Sequence, residues 1–512
     1  MKPISLLRGF FTVGLWTMLS RVLGMAREVI ILALIGPGPV MDAFVAAFRL
    51  PNMFRRFFAE GAFNAAFVPM FSKRYESGED PEGFAREAAS GLAFVLMVLT
   101  ALALIGMPFL VYATAGGFTG DARFDLTTGY GRIMFPYILF VSLAALFSGV
   151  LNASGHFAAA AAAPVMLNIF VIAAMTLAWA IGGEAILWLV WTVPFAGIAQ
   201  LAIVWIATER SGIRIRPVRP RWSPQMKALV VVAIPAALSN GVMQINLLVG
   251  QQVASNFDKA VSWLYAADRL YQLPLGVVGI AVGIVLLPDL SRRLAANDSD
   301  GARHALSRAA EVSLALTIPA AVALVVIPAP LVSALYERGS TGAQDTDAIA
   351  LACLIYGLGL PAFVLQKVLQ PVFYAREDTR SPFRYALVAM AVNAAVAIGL
   401  APVIGWIAAA IATTTAGWTM LWLLFFGARK LGEDTRPDAR FYDKLWRIVL
   451  ASLAMGAVLW GIVALFGSAI TLPGWRYLYV LGLIVAGMVS YFGIAAKIGA
   501  LSLRDIKGSM RR

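Results

Sequence analysis

The chain has 512 residues, 60% of them hydrophobic and only 13% charged, with a mean hydropathy of +0.79. That composition excludes a water-soluble globular protein and predicts a polytopic, all-α membrane protein with no soluble domain long enough to fold alone. The net charge is +13, and one cysteine (Cys353) with two histidines (His156 and His304) leaves no material for an internal disulfide framework and little for a histidine-based metal site.

Fourteen hydrophobic spans follow in order, at roughly 8–34, 42–72, 88–113, 131–153, 157–182, 185–208, 226–250, 260–291, 308–330, 347–373, 382–403, 405–428, 445–467 and 476–497. The first follows Lys2 and Arg8, contains Arg21, Arg27 and Glu28, and lacks a small-residue cleavage site, so it is expected to be a retained helix, not a signal peptide. Counting from Leu7, Arg21 lies roughly 20 Å along that helix at about 1.5 Å per residue, which is mid-bilayer in a core of about 30 Å. Arg21 and Glu28 are two turns apart on one face, and Arg27 joins them only if Gly24 bends the helix. In the second span Asp42, Arg49 and Arg56 recur every seven residues, and Asn52, Arg56 and Glu60 every four, so they are expected to share a polar face. Arg55 is offset from this stripe, Pro51 is placed to turn the helix between them, and Glu60 lies one turn from Arg56.

After the sixth span, the loop from Arg210 to Gln225 holds Pro217, Pro220 and Pro224 and reads as an extended hinge. The eighth span carries Asp268 beside Arg269, with Asp268 as its structural partner. Further on, Lys367 is near enough to a span end to snorkel, and Cys353 reads as a small packed hydrophobe. Trp191, Trp418, Trp422 and Trp475 are expected at the interface or in packing. Spans thirteen and fourteen follow a polar linker from Gly432 to Asp443 and read as an appendage.

An even number of spans puts both termini on one side. That side collects twenty-nine lysines and arginines against five on the other (Arg123, Arg132, Lys259, Arg338 and Arg476), which predicts cytoplasmic termini. The basic charge is therefore topological, with no nucleic-acid surface implied. At an offset of about 220 residues the chain matches itself: 68–74 answers 287–293, Arg49-Leu50-Pro51 answers Arg269-Leu270 with Pro274, 151–153 answers 373–375, and Asn168 lies opposite Asn393. The expected plan is a six-helix lobe at 1–215, a second at 216–432 related by a pseudo-twofold axis, and two additional helices at 433–512.

A charged side chain at mid-membrane costs about 2.5 to 3.5 kcal/mol even on lenient scales, so buried arginines normally face a cavity and have a function. Five lie in spans, Arg21, Arg27, Arg55, Arg56 and Arg269, and the function they suggest is holding an anion. Alternatively they pair with Glu28, Asp42 and Glu60 and merely hold helices together. Even with Asp268 added, those carboxylates leave one positive charge in excess. No G-x-x-x-x-G-K-[ST] loop occurs, so transport would need a gradient or partner energy. A drug-cation exporter would want carboxylates where this chain is net positive. A glycan polymerase would need external acids, and Asp121, Asp125, Glu337 and Asp345 show no clear active-site pattern. A non-transporting scaffold would not need buried arginines.

The stretches Ser20-Arg21-Val22-Leu23-Gly24-Met25-Ala26-Arg27-Glu28, Asp42-Ala43-Phe44, Arg49-Leu50-Pro51-Asn52-Met53-Phe54-Arg55-Arg56, Phe58-Ala59-Glu60-Gly61-Ala62-Phe63 and Phe67-Val68-Pro69 closely resemble the MurJ (MviN) family of lipid II flippases. Tyr374-Ala375-Arg376-Glu377-Asp378-Thr379-Arg380 and Ala267-Asp268-Arg269-Leu270 extend the likeness. The resemblance implies the fourteen-helix plan of the MOP exporter superfamily and an inner-membrane flippase, not an enzyme. It would carry lipid II, an undecaprenyl-pyrophosphate-linked disaccharide-pentapeptide, to the periplasmic leaflet. It places Arg21, Arg27, Arg55 and Arg269, with Asp42, in the cavity, and Arg27-Glu28 where the family has Arg-Asp. Ser20, Glu28, Arg56 and Glu60 complete the expected substrate-handling set. No cofactor is implied; partners are lipid II, membrane lipids and other cell-wall synthesis proteins. Some members bind sodium through carboxylates on helices seven and eleven; Gln244, Asn246, Gln251 and Asn393 stand there without an acid, which leaves monovalent-cation coupling open. The last two helices resemble those that form a groove for the lipid tail. The charge chemistry agrees with outward movement of an anion driven by membrane potential.

Overall fold

The computed structural model describes residues 6–56, 62–296, 298–467 and 475–500, with side chains except at 6–11, 62–65, 234–247, 277–285 and 287. Among these residues all regular structure is helical. The helices are α1 (Leu6–Leu34), α2 (Pro39–Arg55), α3 (Ala62–Ser77), α4 (Pro81–Ile105), α5 (Met107–Ala115), α6 (Ala122–Met134), α7 (Tyr137–Ala153), α8 (Phe157–Ile181), α9 (Ala185–Arg210), α10 (Pro224–Ala254), α11 (Ala260–Ala295), α12 (Ser299–Val326), α13 (Pro328–Tyr336), α14 (Ala343–Tyr374), α15 (Arg380–Ile404), α16 (Ala408–Arg429), α17 (Ala439–Phe466) and α18 (Trp475–Lys497). Among the described residues nine helical stretches are long and apolar enough to cross a membrane.

Apolar solvent cannot satisfy backbone groups, so helix ends carry the explicit solutions. Asp80, Asp298 and Asp438 accept the amides of Gly83 (2.9 Å), Gly301 (2.9 Å) and Phe441 (2.7 Å), opening α4, α12 and α17. Ser223 does the same for α10 through Met226 (3.2 Å). Two expected spans are divided by proline: α4 gives way to α5 at Gly106, ahead of Pro108, and α12 to α13 at Ile327, ahead of Pro328. The two breaks lie about 220 residues apart, at the offset of the sequence repeat, and the short helices that follow are 9 residues each.

The chain divides into two compact units, Met1–Ser262 with Arg338–Thr341, and Trp263–Glu337 with Gly342–Arg512. The first therefore includes α10, which the sequence reading assigned to a second lobe. Its core is aromatic: Phe67 stacks on Phe71 (5.7 Å) and on Phe84 (5.5 Å), with Leu96, Met107, Phe135 and Leu151 fully enclosed. In the second unit α17 and α18 are not an isolated appendage. They share a core with α12 through Ala315, Ile448, Met455, Leu459, Leu483 and Tyr491, whose hydroxyl donates to the Ala315 carbonyl (2.6 Å).

Segment 338–341 belongs to the first unit because it closes the end of α1. Thr341 Oγ1 donates to Leu32 O (2.8 Å), Ser340 N to Ala33 O (2.9 Å) and Ser340 Oγ to Leu34 O (3.1 Å), which satisfies three final carbonyls of that helix. The approach demands glycine on both sides. Gly36 (φ +71°) and Gly339 (φ +57°) are left-handed, and a Cβ would come within 2.4 Å of Ser340 O or 2.1 Å of Ala33 O.

Gly339→Ala should therefore destabilise the protein by about 1–3 kcal/mol, read as a lower melting midpoint in detergent, whereas Gly482→Ala on α18, where nothing lies within 4 Å, should be neutral or stabilising. A pH test concerns Asp378, between α14 and α15. Hydrogen bonds from Ser381, including its N–H at 2.9 Å, hold the Asp378 carboxyl below its usual range. A depressed folded-state pKa stabilises above the ordinary carboxylate pKa of about 3.9 and is lost as pH falls through the folded value. Asp378→Ala should melt earlier at neutral pH, and the gap to wild type should close in acid.

Candidate functional site

The sequence-predicted residues fall into separate clusters. Ser20, Arg27 and Glu28 meet on α1, which packs along α8. The organiser is Asn168 of α8, only 5% exposed. Its Oδ1 accepts from Arg27 Nη1 (3.0 Å), and its amide nitrogen donates to Ser20 O (2.9 Å) and lies 3.4 Å from Ser20 Oγ. Arg27 also donates to the buried carboxylate of Glu28. One amide thus uses both its polar ends across the α1–α8 seam, and the guanidinium is set between a carboxylate and a neutral acceptor. Arg27 reaches both groups from a helix that is continuous over 29 residues.

Asp42 stands elsewhere, in the first turn of α2, with no exposed surface. Its Oδ1 accepts from Ser262 N (2.8 Å) and from the Ser262 hydroxyl, so α2 supplies the N-terminal cap of α11. Its Oδ2 lies 3.6 Å from Arg123 Nη1. Arg123, at the start of α6, also pairs with Asp121 (2.7 Å) and Asp258 (3.5 Å), donates to Phe257 O (3.3 Å), and lies 4.5 Å from the Phe118 ring centre. Burial pushes the Asp121 carboxyl up, but the Arg123 hydrogen bond and charge outweigh it and hold the group below its usual range. Beside this cluster the end of α10 is tied to the end of α5: Gln251 donates to Thr114 O (3.1 Å), Gly116 N to Gln252 Oε1 (2.9 Å) and Gly117 N to Ser255 Oγ (3.0 Å).

One expectation is refined and one corrected here. The shared polar face of Asp42, Arg49 and Arg56 is graded, with Asp42 sealed, Arg49 partly buried and Arg56 exposed. Among the ion pairs of the described residues, Asp42 answers Arg123, which the sequence reading left in an external connection, and not an arginine of the spans. Arg21 and Arg55 are partly buried in the first unit; Glu60 lies outside the described residues. In the second unit Arg269 is partly buried with its guanidinium 4.6 Å over the Tyr265 ring, and Asp268 accepts from the Gln272 amide. The external acids have structural work: Asp121 binds Arg123, Glu337 pairs with Arg476 (3.2 Å) and Asp345 accepts from Trp263 Nε1 (2.9 Å). Sequence reasoning counted Arg123 only as an external basic residue, missed Ser262, and marked Asn168 only as a repeat position. Asn168, a lone amide in an alanine-rich span, was the one available signal.

Nine helical stretches of membrane length among the described residues, with α1 bound to one of them, α8, through Arg27 and Asn168, define a polytopic helical membrane protein. The sequence profile described as "Lipid II flippase MurJ" matches residues 31–486. The probable lipid II flippase MurJ of Rhizobium meliloti (strain 1021) is 45% identical over 521 residues, 99% of this chain and 97% of that protein. Its counterpart in Rhizobium tropici is 43% identical over 525 residues, again 99% and 97%, and the lipid II flippase MurJ of Burkholderia cenocepacia is 35% identical over 462 residues, 88% and 90%. A solved lipid II flippase MurJ in an inward closed conformation shares the fold with a TM-score of 0.79 at 24% identity, over 98% of this chain and 99% of that one. An inward-facing multidrug resistance MATE family transporter of the MOP superfamily has a TM-score of 0.67 at 15% identity, over 80% and 94%. The chain belongs to the MurJ family of lipid II flippases, and it is a transporter, not an enzyme.

Breaking the Asp42–Arg123 pair from one side leaves a sealed carboxylate without its guanidinium. Arg123→Gln should cost about 3 kcal/mol or more, and adding Asp42→Asn should recover a large part of it. Thermal unfolding of the two variants in detergent checks this; independent, additive losses would contradict the pairing.

Proposed function

We propose that this protein moves lipid II from the cytoplasmic to the periplasmic leaflet of the bacterial inner membrane by alternating access, with both termini in the cytoplasm. The observation that carries the reading is the Ser20–Asn168–Arg27–Glu28 cluster: a guanidinium held on a carboxylate and an amide at the α1–α8 seam, in a chain whose relatives are named lipid II flippases. Pyrophosphate is a bidentate anion, and the arginine fork fits its oxygens while remaining charged in any surroundings. Arg21, Arg27, Arg55 and Arg269 are assigned as its ligands, with Arg56 and Glu60 at the edge of the set. Glu28 and Asn168 hold Arg27 in place before substrate arrives, so little side-chain ordering remains for binding. Asp42 acts on the N-terminus of α11, not on the substrate.

Membrane potential supplies the drive. With the cytoplasm negative, outward transfer of an anion is favoured by about 2.3 kcal/mol per charge per 100 mV. The substrate's polyprenyl tail stays in the bilayer against the apolar helices, and cell-wall synthesis proteins receive the headgroup outside.

The deciding experiment measures the fraction of lipid-linked peptidoglycan precursor reachable from outside depleted cells. Wild type should restore external precursor; Arg55→Ala and Arg27→Ala, expressed and inserted at equal levels, should each lower it at least tenfold. Unchanged external precursor on depletion would instead favour a scaffold or polymerase role. In vesicles, collapsing the potential should slow flipping severalfold, and an unaltered rate would remove the potential from the mechanism. Asn168→Leu should retain the fold yet lose most transport, since the apolar side chain fits the seam but cannot orient Arg27.

A further inference from the structure

The connection between α9 and α10 is more ordered than a hinge requires. From Ser211 to Lys227 it carries five basic residues and no acidic one. Its backbone runs without helix from Ile213 to Ser223 and lies along α4. Three contacts hold its register: Arg86 Nε donates to Arg214 O (2.8 Å), Val218 N to Ser90 Oγ (2.9 Å), and Ser223 Oγ to Glu87 Oε2 (2.6 Å). Ile213 and Ile215 enter the core, 6% and 2% exposed, so the alternation of extended chain turns Arg214 and Arg216 outward. Arg219 and Arg221 continue the exposed row, which spans about 23 Å at about 3.3 Å per residue.

None of these four arginines makes an ion pair among the described residues. By contrast Arg86, Arg293, Arg308, Arg376 and Arg447 each have an internal carboxylate. Trp222, at the end of the row, is 71% exposed, and Val218 is 40% exposed. The arm joins the end of α9 to the start of α10 beside the first turns of α4, so it lies at an end of two helices, α4 and α9, that are long and apolar enough to cross a membrane. Any loose basic loop would satisfy charge topology. A strip that buries its isoleucines, fixes its register and aims unpaired guanidiniums and an indole outward is a built surface.

We infer that the 211–223 arm is a binding surface for anionic phospholipid headgroups of the leaflet it faces, with Arg214, Arg216, Arg219 and Arg221 on the phosphates and Trp222 seated at the interface. Guanidinium groups at a membrane surface attract acidic lipid, and indole prefers the headgroup boundary. The inference concerns the fold's contact with its membrane and stands whether or not the transported substrate is lipid II.

The test uses the full chain in nanodiscs of phosphatidylcholine mixed with phosphatidylglycerol, and native mass spectrometry of the lipids retained on extraction. Wild type should retain phosphatidylglycerol preferentially. The combined Arg214→Gln, Arg216→Gln, Arg219→Gln and Arg221→Gln variant should lose that preference by about tenfold or more, and the four Arg→Lys exchanges should keep most of it. Raised salt should weaken the preference of wild type. Should the glutamine variant fail to fold, the wild-type chain still decides: brominated phosphatidylglycerol should quench a fluorescence component that Trp222→Phe removes, and brominated phosphatidylcholine should quench it less. Equal retention by wild type and the glutamine variant, or equal loss when Arg429 and Lys430 are changed to Gln instead, would overturn the inference.

Discussion

A guanidinium cannot shed its proton to enter hydrocarbon, so each arginine carried into this bundle obliges the fold to bring something to it. Arg27 is answered by its neighbour Glu28 and by Asn168 across a helix seam; Arg123 is answered by Asp42, Asp121 and Asp258. Each answer ties helices together. α1 must lie on α8 for Asn168 to reach both Ser20 and Arg27, and α2 must approach α6 and the start of α11 for Asp42 to meet its partners. Charge satisfaction and helix packing are here one requirement.

The backbone obeys the same rule with weaker dipoles. Carbonyls at the end of α1 and amides at the start of α11 cannot be left bare away from water, and both are met by side chains or backbone distant in sequence. Segment 338–341 serves the first and Asp42 the second. Glycines at 36 and 339 are needed because only a residue without Cβ allows the two chains that close. The 211–223 arm shows the reverse solution: it keeps its backbone against α4 and turns its charge outward.

Membership of the MurJ family and the arginines carried by α1, α2 and α11 are the two grounds of the proposed chemistry. Arginine would suit the pyrophosphate of the proposed substrate, since its fork matches phosphate oxygens and stays charged in any surroundings. The short helices α5 and α13, each opened near a proline, break the chain about 220 residues apart, the offset at which the sequence matches itself.

Much of the helical plan was legible in the chain itself. Apolar runs of membrane length are visible because hydropathy is a local property, whereas the helices open at Pro39 and, behind the Asp80 cap, at Pro81, three and seven residues before the runs read from 42 and 88. That arginines stand within these runs was legible for the same reason, although Arg56 proves exposed and Arg21, Arg27, Arg55 and Arg269 only partly buried. What those arginines touch was not. Periodicity places Asp42, Arg49 and Arg56 on one face of one helix but cannot say which other helix that face meets, so Arg123 and Ser262 stayed invisible at separations of 81 and 220 residues. The grouping of α10 with the first unit and the integration of α17 and α18 with α12 were likewise decided only in three dimensions. In a bilayer every helix is apolar to its neighbours and to lipid alike, so hydropathy carries no record of partner choice; that is settled by close packing and by the few polar groups that must find one another.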